Sequence, residues 1–401
     1  MKHNRWSVVV GALLIQLCFG AIYSWSIFVE PLKKAFNYTT TQTQIIFSVA
    51  LASFALVMII AGRLQDEKGP KIVATAGGLV LGAGYILASY TGGDFPLLTL
   101  TVGIIGGAGI GLGYVCPIAA CVKWFPDKRG MVTGLAVAGF GAGAWLFQKV
   151  GSSFIESAGV LKAFLYLGVI FLVTVVFGAQ LMKNPPQGWL PEGWKPLEKK
   201  LSKGKPEDYN WHDMLKTRQF WMLWLMFTFS AAAGLMVIGI LKPFGIWTGL
   251  DAATAGDAVG VLALFNGAGR IIWGTASDKI GREKSMTLMF LLQGVMMFIL
   301  IKMGGSGVLL AIASAWVGFN FGGNFALFPS ATADYYGTKN VGVNYGFVFT
   351  AYGVAGIIGP ILGGKVFDLT GSYLWAFIPT GILCVIAGGI ALLLKHPHHQ
   401  K

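Results

Sequence analysis

Hydrophobic positions run along this chain in long unbroken blocks rather than in alternation with polar ones. Twelve such blocks can be marked off, at 6–29, 42–64, 71–91, 95–122, 129–152, 162–182, 219–247, 253–277, 285–303, 307–332, 340–366 and 373–394. Each holds about the 20 apolar residues that a helix needs to cross a hydrocarbon core about 30 Å thick. Membrane β-strands would alternate at period two, and these blocks do not. The pattern predicts an all-α membrane protein of twelve transmembrane helices. The first block follows a basic stretch, MKHNR, but is too long and too aromatic for a cleaved leader and is read as span 1.

Composition agrees with a bilayer as solvent. The chain is 55% hydrophobic and 12% charged, with a mean hydropathy of +0.67, where soluble domains carry about 25% charge. The net charge of +13 raises the question of nucleic acid, yet the basic residues sit between the spans. Of the 30 Lys and Arg, 22 fall on the side of the membrane that carries both termini, seven on the other side and one within a span. That bias predicts cytoplasmic termini and makes the lipid bilayer, not nucleic acid, the partner. The longest loop, 183–218, is basic and rich in Pro and Trp. It is read as a linker between an N-terminal six-helix half (1–182) and a C-terminal one (219–401). Cys18, Cys116, Cys121 and Cys384 lie inside apolar blocks with no CxxC or Cys/His spacing, so neither a disulfide nor a metal is predicted.

One sequence offset relates the two halves. GRLQDEKGPK (62–71) aligns with GTASDKIGREK (274–284) when Gly62 is set over Gly274. The same offset places GGAGIG (106–111) over GFNFGG (318–323), and MVTGLAVAGFGAG (131–143) over VNYGFVFTAYGVA (343–355). Two six-helix repeats of parallel orientation are the expectation, with any substrate site between them near the bilayer midplane. The commonest use of glycine in such helices is close packing, which suits Gly260, Gly267 and Gly274 on one face of span 8. Nucleotide readings fail. GGAGIGLG lacks the GxGxxG spacing, and GPILGGKV (359–366) carries Val366 where a P-loop needs a hydroxyl for Mg²⁺. With no cofactor and no catalytic constellation, the chain is not read as an enzyme.

The residue that breaks the apolar pattern is Arg270, in LFNGAGRIIWG (264–274). At a rise of 1.5 Å per residue it lies roughly 12 Å inside span 8, too deep to snorkel. Burying it costs about 2.5 to 3.5 kcal/mol on insertion scales, so it needs a cavity and a partner. Asn266 shares its face at i−4, but no acid lies within a turn. Asp257, in the same span, points about 220° away. Asp94 and Asp368 fall at span ends. With no protein carboxylate at mid-membrane, the expectation is that the substrate is the anion, bound through the planar guanidinium. The bland alternative is an Arg satisfied by carbonyls and water.

Certain motifs resemble a known family. GRLQDEKGPK looks like the loop signature of the major facilitator superfamily, with Glu67 where that pattern prefers a basic residue and Lys68 beside it. WFPDKRG (124–130) leading into glycine-rich span 5, together with NYGF (344–347) opening span 11, resembles the monocarboxylate transporter and oxalate/formate antiporter branch, including bacterial lactate and pyruvate carriers. That resemblance implies a cavity lined by spans 1, 4, 7 and 10. Taken with Arg270 and Asn266, the aromatic stripes on spans 1, 4, 10 and 11 then offer Tyr23, Tyr114, Phe325, Phe349 and Tyr352 as substrate contacts. In oxalate/formate antiporters a second cation, a lysine, stands where Tyr352 is here. In animal monocarboxylate transporters an aspartate stands at Asn266 and a lysine near Trp25. One intramembrane cation remains in this chain, which favours a monocarboxylate over a dianion.

The expected function is therefore secondary active transport of short monocarboxylates such as L-lactate or pyruvate, by proton symport with alternating access. Asp257 or the substrate carboxylate itself is the candidate proton carrier. Asp66, Asp127, Asp278 and Arg282 are expected to act as a cytoplasmic gate, pairing across the halves in the outward-open state. The alternatives are an oxalate/formate-type anion exchanger and a non-transporting receptor of the same fold. A monomer in a bacterial inner membrane is the expected setting.

Overall fold

The computed structural model describes residues 5–125, 129–186, 209–337 and 341–395. Among them the regular elements are helical, as a bilayer demands: a helix satisfies its backbone N–H and C=O groups within itself. The first spanning helix, α1, runs Trp6–Gly20, tightens to 3₁₀ geometry over Ala21–Ser24 and resumes over Ser26–Phe36. Next come α2 (Thr40–Lys68), α3 (Pro70–Ala88) and α4, which starts at Phe95–Leu98, widens to a π-helix over Thr99–Gly106 and continues as Gly107–Trp124. Then follow α5 (Arg129–Ala158), α6 (Val160–Gln180), α7 (Arg218–Trp247) and α8 (Ala252–Ile280). The last four are α9 (Arg282–Leu300), α10 (Gly307–Tyr336), α11 (Val341–Thr370) and α12 (Leu374–Leu392). Eleven of these are long and apolar enough to cross a membrane among the described residues, and α5, at 30 residues, is the twelfth long helix.

The spans sit where the apolar blocks predict, several of them running a turn or more longer, and span 1 the furthest. The apolar block of span 1 ends at residue 29, but the helix continues to Phe36. Its added turns bury Leu32 while Lys33 pairs with Glu30 at 3.3 Å, so this stretch leaves the hydrocarbon as an amphipathic helix. Asn37 then stops it in the left-handed conformation. Most of the 183–218 linker (187–208) lies outside the described residues; a short helix at Trp211–Leu215 leads into α7.

The repeat read from the sequence has a local physical cause at one turn. Gly69 joins α2 to α3 with φ 82 and ψ 159, and Gly281 joins α8 to α9 with φ 93 and ψ 156. The two glycines are partners under the repeat offset, and each donates its N–H one helical turn back, to the Gln65 and Ser277 carbonyls at 3.0 and 3.1 Å. Positive φ at both is the reason for glycine. At the opposite end of α8 the Asp251 carboxylate caps the helix. Its hydrogen bond from the Thr254 hydroxyl, with further bonds from backbone amides, holds its pKa below the usual carboxylate range.

Two seams join the first six spans to the last six. Along one, α2 meets α11: a methyl group added at Gly356 would lie 2.6 Å from Leu51 Cβ, and one at Gly353 2.8 Å from Ala55 Cβ. Gln44 Nε2 of α2 also donates to the Gly239 carbonyl of α7 at 3.1 Å. Along the other, α5 meets α8: a methyl at Gly141 would lie 2.7 Å from the Ala263 carbonyl and one at Gly260 2.8 Å from Trp145 Cδ1. Gly141 and Gly353 are partners under the repeat offset and occupy equivalent places in the two seams. Both seams are tight on the face away from the termini. Toward the terminal face, a methyl at Gly62 of α2 or at Gly346 of α11 would meet nothing within 4 Å among the described residues. The molecule is thus closed on the far face.

Candidate functional site

Close packing of α8 on α10 aims the site. Gly318 and Gly322 bring the α10 backbone against the carbonyls of Leu262 and Asn266, with no room for a Cβ, and Gly269 meets the Phe319 backbone likewise. Small residues are what permit this approach in a membrane, where no hydrophobic driving force separates helix from lipid. The consequence is that Arg270 of α8 faces Phe325 of α10. Its guanidinium carbon lies 4.4 Å from the Phe325 ring centroid and 5.6 Å from that of Phe140 on α5.

Arg270 is 5% exposed. Its Nε donates to Asn266 Oδ1 at 3.1 Å, the i−4 partner on the same helix. Nη1 and Nη2 find no acceptor among the described residues, and neither does Asn266 Nδ2. Stacking on two rings offsets part of the desolvation, about 0.5 to 2 kcal/mol per contact. It does not satisfy N–H donors, and an unsatisfied buried donor costs more when charged. The arrangement holds the guanidinium by one edge and leaves the other free, which is the geometry for bidentate capture of a carboxylate.

The aromatic residues singled out from the sequence gather around this cation. Tyr352 lies 5.6 Å from Phe325 and 4.8 Å from Phe349 by ring centroids, and Tyr114 lies 6.3 Å from Phe349. Tyr23 of α1 joins them through its hydroxyl, 3.0 Å from the Tyr352 hydroxyl. That bond crosses between the first and last six spans, inside the ring cluster and away from water. Gln16 Nε2 donates to the Tyr114 carbonyl at 3.2 Å, tying α1 to α4 beneath it.

Some contributors were not singled out from the sequence, among them Phe227 of α7, 5.9 Å from Phe349. Phe140 touches the guanidinium and lies 4.9 Å from Tyr23 and 5.6 Å from Tyr114. Phe54 of α2 lies 5.1 Å from Tyr114 and 5.8 Å from Tyr352. A cavity assigned to spans 1, 4, 7 and 10 leaves out α2 and α5. The signal that finds Phe140 is the repeat, since its partner under the same offset is Tyr352.

The charged residues assigned to coupling and gating lie elsewhere. Asp257 is at the far face, its side chain 62% exposed, paired with Lys149 of α5 at 2.6 Å. It is outside the ring cluster. Among the described residues Arg282 has its ion pairs within the last six spans, with Asp278 at 2.8 Å and Asp334 at 2.9 Å, and it also meets Ser277 Oγ. Asp127 and the side chain of Asp66 lie outside the described residues.

The sequence profile of the Major Facilitator Superfamily matches residues 9–247 and again 228–401. The chain is 33% identical to the oxalate:formate antiporter of Oxalobacter formigenes, over 97% of this chain and 91% of that protein. It is 26% identical to monocarboxylate transporter 12 of Xenopus laevis, over 97% of this chain and 89% of that one. Among solved structures, a bacterial homologue of the human lysosomal transporter Spinster, inward-facing and occupied, superposes with a TM-score of 0.74 at 14% identity, covering 98% and 97% of the two chains. These relatives are transporters, not enzymes. With nearly its whole length matched and a buried cation between its two sets of spans, this multi-pass membrane protein belongs to the Major Facilitator Superfamily.

Proposed function

We propose that this chain carries short monocarboxylates of the L-lactate and pyruvate class across a bacterial inner membrane, as a proton symporter working by alternating access. The observation that carries the reading is the free edge of Arg270: two buried guanidinium N–H groups without acceptors among the described residues. A carboxylate pairs with that edge, and Asn266, bonded to Nε, fixes its direction. Of the two hydroxyls in the Tyr23–Tyr352 pair, one donates to the other, so one O–H is left to donate to the substrate. Phe325 and Phe349 enclose the apolar carbon, and Tyr114 closes the side toward α4. One cation balances one carboxylate, whereas a dianion would bury an uncompensated charge.

The first six spans (1–182) and the last six (219–401) rock as two bodies about this site, linked by 183–218. The terminal face is the cytoplasmic one, by the excess of Lys and Arg on it. When it closes, Asp66, Asp127, Asp278 and Arg282 pair across the seam. Moving a monocarboxylate inward against a negative-inside potential costs about 2.3 kcal/mol per charge per 100 mV, so uptake takes a proton with it. Asp257 sits in an exposed ion pair, a poor place for a proton that must be carried through the site. The protein acts as a monomer.

The second reading, an anion exchanger of oxalate/formate type, is favoured by the 33% identity to the Oxalobacter antiporter. Acid-driven uptake of labelled lactate into proteoliposomes separates the two. Symport gives accumulation that follows the proton gradient. Exchange gives counterflow without proton dependence. Uptake in Arg270→Ala equal to that of the parent would overturn the site itself.

A further inference from the structure

The N-terminus of α2 is completed by a residue from the far end of the chain. α2 opens with a capping box: the Thr39 hydroxyl accepts from the Gln42 N–H at 3.1 Å and Gln42 Oε1 accepts from the Thr39 N–H at 2.9 Å. That leaves the first-turn amides of Thr40 and Thr41, which have no partner within the helix. Both donate to the carboxylate of Asp368 in the last turn of α11, at 3.1 Å to Oδ1 and 2.7 Å to Oδ2. The Thr41 hydroxyl adds a third bond, 2.5 Å to Oδ2. The partners are 327 and 328 residues apart in sequence and on opposite sides of the α2–α11 seam.

We propose that Asp368 is a latch of the far face: its carboxylate caps α2 only while that face is closed, so opening it requires the cap to break. Negative charge is favoured at a helix N-terminus by the partial charge of the free amides there. Two of the three bonds go to backbone N–H groups, which are already ordered and lose no side-chain freedom. Lys149–Asp257 closes the other seam at the same face, but it joins two side chains that are 54% and 62% exposed, a kind of pair that contributes little. Asp368 is exposed as well; what makes it the stronger latch is that two of its three bonds go to backbone amides. The proposal rests on alternating access and not on which anion is carried.

The test reads conformation without substrate. In vesicles with the far face outward, Ser48→Cys on α2 places a thiol in the closed seam, where Ser48 is buried, against four native cysteines that are also buried. Adding Asp368→Asn raises the labelling rate of that thiol by a membrane-impermeant maleimide about 5-fold, the shift expected from losing a capping carboxylate. Asp94→Ala, which removes a cap made entirely at the start of α4, leaves it unchanged. If Asp368→Asn does not fold, Thr41→Val, which removes only the hydroxyl bond, carries the test with an expected rise of about 2-fold. Labelling unchanged in the Asp368 variant, or raised equally by Asp94→Ala, overturns the latch. Failure of the monocarboxylate reading would leave these rates as they are.

Discussion

Spans α8 and α2 occupy corresponding places under the sequence repeat and line the same cluster of rings, yet they bring opposite chemistry to it. α8 presents Asn266 and Arg270, one turn apart on one face. The corresponding positions on α2 are Phe54 and Met58, both buried. Phe54 packs on Tyr114, Phe349 and Tyr352. One half thus supplies a cation with its positioning amide, and the other supplies an apolar wall. A symmetric pair of cations would suit a dianion. This asymmetric pair suits a molecule with a carboxylate at one end and a methyl-sized apolar group at the other.

Several substitutions break or sharpen that contrast. Arg270→Ala removes the cation held inside the ring cluster and is expected to lower lactate uptake by about 100-fold or more, since truncating one partner of a buried charge pair costs about 2 to 5 kcal/mol. Met58→Lys gives α2 what α8 has. Preference, measured as competition between unlabelled oxalate and labelled lactate, should move toward the dicarboxylate by about 10-fold, with some loss of thermal stability from the added buried charge. An unchanged preference would mean that α2 does not set the charge balance.

Smaller effects test how the cation is held. Asn266→Ala frees Nε and should raise KM about 5- to 10-fold with little change in maximal rate, as expected when one hydrogen bond to a charged group is lost. Tyr352→Phe removes one hydroxyl of the Tyr23 pair. It should raise KM only about 2- to 4-fold, because the remaining hydroxyl can donate to the substrate directly. A larger loss at Tyr352 than at Asn266 would put the hydroxyl pair, and not the α8 amide, at the centre of binding.

Much of the site is legible in the chain alone. Arg270, with Asn266 one turn away, stands out because a charge in a continuous apolar run is costly wherever the run lies in the bilayer, whereas the aromatic set is reached only with the family resemblance. Span positions follow from the length of the apolar blocks. Phe54 and Phe140 do not stand out, because an aromatic ring in a membrane helix looks the same in sequence whether it faces lipid, core or cavity. The roles of Asp257 and Asp368 are hidden for another reason. Both sit at span ends, where acidic residues usually do no more than cap or face water. Only across the closed seams do they meet Lys149 and the Thr40 and Thr41 amides.

The sequence by itself determined that this chain spans a membrane twelve times, that it carries an internal repeat, and that one unpaired cation lies deep in it. Those properties depend on transfer free energies and helix periodicity, which are local. The tertiary structure alone decided which edge of Arg270 is free, which rings surround it, and which face of the molecule is closed. Those depend on how closely helices distant in sequence approach one another, set here by the glycines of α8, α10 and α11.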